Sequence, residues 1–235
     1  MNSSRSKSAI DAAAARLRAE VLSHEDGAFL GSEDALQAQI GVSRPTMRQA
    51  ARLLEREGLL RVRRGNNGGY FGARPDPAFI EATVSTYLEV LNAEAEDLTA
   101  IASVLWVEVV RKAAARKDNA ARSLAPHFRG AVKSLSETAG FTELLALEQK
   151  IRREVFDLIK SPYVELIFNI NADFARRHFT DPPSSRDNTP EHVAFVEAWR
   201  KAKLMELEAI SDGDQELAVL AARRTRDLLY RRVWM

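Results

Sequence analysis

Seven arginines fall between Gly41 and Gly65, at positions 44, 48, 52, 56, 61, 63 and 64, against only two acids, Glu55 and Glu57. Guanidinium at this density suits a polyanion, because each group stays charged and offers a planar fork of donors. The run opens with Ser43-Arg44-Pro45-Thr46, and Arg48 follows one helical turn on. If these residues begin a helix that enters a major groove, Arg44 is the expected base reader, bridging the two acceptors of guanine. Ser43, Thr46 and Arg48 suit phosphate oxygens instead. Arg64-Gly65 closes the run, where a guanidinium could enter a minor groove and glycine allows close backbone approach. A single helical arginine is ordinarily a solvated surface residue. Four on the outward face of one short helix, with a basic segment directly after, point to double-stranded DNA.

Other chemistries find little support. There is no cysteine, which excludes disulfide scaffolds, thiolate-bound zinc or iron–sulfur clusters, and thiol catalysis. His24, His127, His178 and His192 lie on separate elements, with no two at ligand spacing. No nucleophile–base pair, phosphate-binding loop or dinucleotide fingerprint occurs, so neither an enzyme nor a cofactor is expected. Trp106, Trp199 and Trp234 read as core or dimer-contact residues, Trp106 alternatively as the wall of an apolar cavity.

The basic run needs a scaffold, and its surroundings supply one. Ala9, Ile10, Ala13, Leu17 and Val21 recur at helical spacing and predict a helix over 6–23. Ser32, with Glu33 and Asp34 behind it, caps a short second helix that Gly41 ends. Ser43 caps a third, whose inward stripe is Met47, Ala50, Ala51 and Leu54 and which Gly58 stops. Residues 59–64 read as a strand, 65–69 as a turn, and Tyr70-Phe71 as the returning strand. Two short helices, a tight turn and a basic hairpin make a winged helix-turn-helix. Arg74-Pro-Asp-Pro77 closes it, since two prolines in three residues continue neither strand nor helix.

Everything further is helical in pattern, over roughly 77–92, 96–117, 119–139, 142–160, 162–180, 190–211 and 214–232. Pro126 is expected to kink or interrupt the third of these, and 182–189 reads as a loop. The fold class is therefore mainly α: a winged helix-turn-helix over 1–75 and an all-helical bundle of six or seven helices over 76–235. The 235 residues, 46% hydrophobic and 29% charged, suffice for two cores. The net charge of +1 is uneven. Residues 1–75 carry 12 basic and 8 acidic side chains, a balance of +4, and the remainder 22 and 25, a balance of −3. The longest charge-free apolar stretch, 98–107, is about half a membrane span. The N-terminus lacks the apolar core of a signal peptide. A cytoplasmic protein without membrane partners is expected.

The order Gly31-Ser32-Glu33, Ile40-Gly41-Val42-Ser43-Arg44, Met47-Arg48-Gln49-Ala50, Leu53 to Leu59, Arg63-Arg64-Gly65 and Gly68 to Phe71 resembles the GntR-type DNA-binding domain over about residues 8–73. The helical segment resembles the effector domain of its FadR-like (FCD) subfamily through Leu147–Val155, Ser161-Pro162-Tyr163 and Ala209–Asp214 followed by Ala218. That resemblance implies a homodimeric transcription regulator on a palindromic operator, with a small-molecule effector in the helical domain altering DNA affinity. The alternative is a DNA-binding dimer with no effector, its helical domain used only for assembly. Two departures matter at the DNA end: Asp34 stands where some relatives carry a DNA-contacting arginine, and Pro45 offers no N–H to a phosphate.

Many relatives hold a divalent metal through an aspartate, a histidine four residues on and two later histidines. The positions corresponding here are Glu148, Arg152, Lys203 and Thr225; a rival alignment takes His192 as the third ligand. Arg152 and Thr225 cannot replace imidazole, so no metal is expected. One reading of Glu148 and Arg152 is an i,i+4 ion pair. Another has Arg152 and Lys203 projecting into a bundle cavity as fixed positive charge, which calls for an anionic or acyl-type effector: a carboxylate, phosphate or thioester-linked nucleotide. With Trp106, these four complete the expected effector-binding residues.

Overall fold

The computed structural model describes residues 2–65, 68–178 and 186–234, and side chains from Ser8 onward except that of Arg176. Its chain clusters into two compact units, Met1–Ile80 and Glu81–Met235. The first contains α1 (Asn2–Leu22), β1 (Phe29–Gly31), α2 (Glu33–Ile40), α3 (Arg44–Arg56), β2 (Leu60–Arg63) and β3 (Gly69–Gly72). Apolar residues from α1, α2 and α3 meet Leu59, Leu60 and Tyr70 in one core, with Leu17, Leu36, Met47 and Leu54 fully buried. The period-3.6 stripes of three short helices thus close on one another and on one face of the hairpin.

The expected turn chemistry is in place around α2 and α3. The Ser32 hydroxyl accepts from the Ala35 N–H at 3.2 Å and caps α2. Gly41 ends that helix at φ 73°, a left-handed conformation that glycine adopts without a Cβ clash. Ser43 then caps α3. The wing is a three-stranded antiparallel sheet in the order β1-β3-β2, not the expected two-stranded hairpin. The additional strand, β1, pairs Phe29 with Phe71. At three residues it is too short to leave a period-2 signature. Gly69 is required where β1 and β3 meet, because a Cβ there would lie 2.5 Å from the Phe29 ring and 2.8 Å from the Gly31 carbonyl oxygen. Of the expected 65–69 turn, Asn66 and Asn67 lie outside the described residues.

The remaining helices are α4 (Pro77–Val90), α5 (Ala95–Ala115), α6 (Asn119–Ser134), α7 (Phe141–Ile159), α8 (Pro162–Arg177), α9 (Pro190–Asp212) and α10 (Gln215–Trp234). In the second unit α5 and α9 are central: α5 packs on α7, α8, α9 and α10, and α9 on α6 and α10. Trp106, Phe156 and Phe168 meet at ring-centroid distances of 5.6–6.0 Å and anchor the core. α6 stops at Ser134 rather than 139, because Leu135 turns extended and buries its side chain. Pro126 does not interrupt α6. One residue earlier the Ser211 hydroxyl of α9 accepts from the Ala125 N–H at 2.9 Å and donates to the Ala121 carbonyl at 3.1 Å. A side chain inserted there supports the backbone groups beside the proline. Of the expected loop 182–189, residues 182–185 lie outside the described residues. Among the described residues no helix is long and apolar enough to cross a membrane.

Candidate functional site

The amphipathic pattern of α3 buries Met47, Ala50, Ala51 and Leu54 and leaves Arg44, Arg48, Arg52 and Arg56 exposed. At its start, the Ser43 hydroxyl lies 3.4 Å from the Thr46 N–H and 2.9 Å from the Thr46 hydroxyl. The two small hydroxyls therefore organise the first turn while remaining beside Arg44. Arg64 and Gly65 stand exposed at the wing, Gly65 at φ 106°. Arg63 stacks over Phe71 at 4.4 Å, tying the base of the wing to its own sheet.

The acids of α2 meet the arginines of α3. Asp34 Oδ1 accepts from Arg44 Nη2 at 2.7 Å. Glu33 takes Arg48 by both oxygens, at 2.8 and 3.3 Å. The Glu33 carboxylate holds the Arg48 guanidinium above its ordinary value, by hydrogen bond first and by charge second. Sequence reasoning treated Asp34 as a first-turn acid of α2 and as a departure from the DNA-contacting pattern, and did not find these pairs. No spacing rule relates residue 34 to 44, since the turn between the helices decides which side chains meet.

In the helical unit a cavity of about 460 Å³ is lined by residues of α5, α7, α8 and α10 and by Glu81 of α4. Of the five expected effector residues, Glu148 and Arg152 line it. Lys203 does not, which corrects the expectation that it projects there as free positive charge. Lys203 is fully buried, with Nζ 2.9 Å from Glu148 Oε1 and 2.7 Å from Glu206 Oε1. Burial by itself would depress the Lys203 ammonium, but the two carboxylates outweigh it and hold it above the usual lysine value. Burial pushes the Glu206 carboxyl up, and Lys203 only partly offsets this. Glu148 turns to Lys203 rather than forming the alternative i,i+4 pair with Arg152. Trp106 and Thr225 also lie off the cavity wall: Trp106 packs in the aromatic core, and Thr225 donates to the Ala221 carbonyl one turn back.

Two guanidiniums face the cavity, those of Arg152 and Arg226. They sit over the Phe168 ring at 5.0 and 5.8 Å. Burial lowers both below the ordinary arginine value, yet guanidinium remains protonated. Arg226 Nε reaches Ser103 Oγ at 3.3 Å. Among the described residues neither arginine forms an ion pair. Arg226 and Glu206 were missed, though both carry a signal: each is a charged residue within an inward helical stripe. Arg226 sits among Ala222, Thr225 and Leu229, and Glu206 between Trp199, Lys203 and Ile210.

These residues do not fit a divalent ion. The Glu148 carboxylate is already matched by Lys203, and although Glu81 and Asp173 also line the cavity, the guanidiniums of Arg152 and Arg226 share it and would repel a metal. His192, the rival ligand, lies elsewhere: its Nε2 faces the Ala139 carbonyl at 2.8 Å, and its Nδ1 accepts from Arg232 at 3.1 Å. Both ring nitrogens are thereby occupied. Among the described residues no group of three His, Asp or Glu side chains is arranged to hold a metal.

Residues 9–68 match the family model of bacterial regulatory proteins, gntR family. The solved structure of Streptococcus agalactiae GntR is similar over 92% of this chain and 99% of that one, with a TM-score of 0.57 at 18% identity. E. coli McbR/YncC is similar over 97% of this chain and 96% of its own, at 14% identity and a TM-score of 0.45. At such identities likeness speaks for the fold alone, and the first carries it. Among curated protein sequences none matches.

Proposed function

We propose that this protein is a dimeric transcription regulator whose helical unit binds a small effector that changes operator affinity, a reading supported by the match of residues 9–68 to the family model of gntR regulatory proteins. The observation that carries the reading is the exposed arginine row of α3, presented from a capped first turn beside a basic wing. A helix so armed matches the width and acceptor pattern of a major groove. Approach to DNA exchanges the acids of α2 for base edges and phosphates. Exposed pairs such as Arg44–Asp34 and Arg48–Glu33 are worth only about 0–1 kcal/mol, so the exchange costs little. Asp34 engages one terminal nitrogen of Arg44, which leaves the rest of the fork to address guanine.

One such unit contacts too few base pairs to select a site, which supports two copies on a palindrome. The helical unit offers an apolar surface for that assembly: Ile101 and Val104 on α5 and Leu220 on α10 are exposed. The cavity among α5, α7, α8 and α10 supports effector binding. The decisive experiment is footprinting the full chain on DNA flanking its own gene, with and without metabolite pools. Protection of two half-sites about one helical turn apart, altered by a metabolite fraction, is expected. Affinity for that DNA no better than for random sequence overturns the regulator reading.

A further inference from the structure

Resting on the regulator reading, we infer that Asp34 of α2 is a positioning residue that sets DNA specificity. It holds Arg44 of α3 in the orientation that reads guanine and makes every other approach to DNA less favourable. Asp34 lies in the first turn of α2, and Arg44 is the first residue of α3. Their side chains are 71% and 60% exposed, and Asp34 Oδ1 accepts from Arg44 Nη2 at 2.7 Å. Among the described residues the carboxylate has no other hydrogen-bond or ion-pair partner. Nor does it serve as a cap, because the hydroxyls of Ser32 and Ser43 cap the two helices. An acid on this basic face therefore has one contact, and that contact is the arginine best placed to read a base.

The form of the contact matters. A guanidinium carries five N–H donors in a planar fork, and its nitrogens make two edges of two donors each. One oxygen on Nη2 uses a hydrogen of a single edge and leaves the other edge whole. One whole edge is what the O6 and N7 acceptors of guanine require. Ordering a long side chain costs binding free energy, and the pair with Asp34 does part of this before DNA arrives. In water such a pair is weak. Covered by base pairs and shielded from solvent, the same contact strengthens. Arg48, expected on phosphate, makes no comparable demand on direction.

The carboxylate also faces a polyanion. Wherever Arg44 lacks its guanine, Asp34 is repelled by phosphate without compensation. Specificity is a difference of affinities, and penalising the wrong sequence raises it as surely as favouring the right one. Asp34 thus lowers affinity for DNA in general and raises the selectivity of what remains.

The test is selection of sites from a randomised duplex library by the full chain, followed by fluorescence anisotropy on selected and random-sequence duplexes. The parent should enrich a guanine in each half-site, and Arg44→Ala should flatten the preference there. Asp34→Asn leaves folding intact, because Asp34 is exposed and Ser32 caps its helix. It should flatten the preference at the same base pair and lower the ratio of selected to random affinity by about fivefold or more, the lower end of what one bidentate base contact supplies. Its affinity for random duplex should rise. Added to Arg44→Ala, Asp34→Asn should still tighten random duplex but change base preference no further. Three results overturn the assignment: base preference unchanged in Asp34→Asn, preference lost at a different base pair, which makes Asp34 a direct reader, or random-duplex affinity that does not rise. A parent that selects no site overturns the regulator reading as well, whereas a selective parent matched by Asp34→Asn overturns the positioning role alone.

Discussion

Arg44 and Arg48 have the same chemistry and nearly the same exposure, yet different tasks are expected of them. A bidentate contact to a base edge carries sequence information, whereas a phosphate contact carries charge. Arg44→Ala should therefore cost about 1–3 kcal/mol of operator binding and relax preference at one base pair per half-site. Arg48→Ala should weaken all sequences alike and lower the salt slope by about one unit; fluorescence anisotropy across a salt series on operator variants separates the two. In the helical unit, Lys203 is the buried residue on which most charge depends. Held above its ordinary value of 10.5, it contributes stability in full below that pH and loses it only as pH rises through its higher folded value. Lys203→Met leaves two buried carboxylates without a counter-charge and should cost about 3–5 kcal/mol at neutral pH. Burial already raises the Glu206 carboxyl, and the variant removes the ammonium that partly offsets this; a raised carboxyl contributes at acid pH and loses that contribution as pH rises, so the deficit of the variant should be smaller at about pH 4 than at pH 8. Urea unfolding at both values tests the sign. Elemental analysis of protein purified without chelators should find less than one divalent metal per chain, since no acceptor set around Glu148 survives the pairing with Lys203.

At the scale of the element, capping and repair matter more than propensity. α3 begins where it does because Ser43 turns its hydroxyl back to the Thr46 N–H, and the same turn presents Arg44. α6 carries a proline that removes one N–H from its interior, and the Ser211 hydroxyl bridges the adjacent Ala121 and Ala125 groups from α9. Ser211→Ala takes away a partner of both and should cost about 1–3 kcal/mol. Chemical denaturation of the full chain measures it; a change within a few tenths of a kcal/mol would mean that α6 closes its own ladder past the proline.

Across the whole molecule, the chain divides into two units, and the proposed function gives each its own partner and requires two copies of the chain. Residues 1–80 contain their own apolar core and should fold apart from the rest. Without the helical unit they should bind the operator far more weakly, because two half-site contacts are no longer joined at high effective concentration. Sedimentation of the full chain should show a dimer. A monomer that keeps full operator affinity would refute the palindrome model.

The helices, their caps and the exposed arginine row of α3 were legible residue by residue, because helical period, serine caps and glycine breaks act within about four residues. Met47, Ala50 and Leu54 on one face already imply Arg44 and Arg48 on the other. β1 was not legible: three residues carry no period, and Phe29 becomes a strand residue only by pairing with Phe71. Nor were the charge pairs. Glu148 and Lys203 lie 55 residues apart, and only the packing of α7 against the central helices brings their side chains to 2.9 Å. One reading of the sequence places that lysine as a cavity cation; burial beside two carboxylates excludes it from the cavity wall. Local hydrogen bonding and apolar period decide which residues turn inward, but an inward charge acquires its partner only when separate elements pack, and that partner decides whether it is structural or free to bind a ligand.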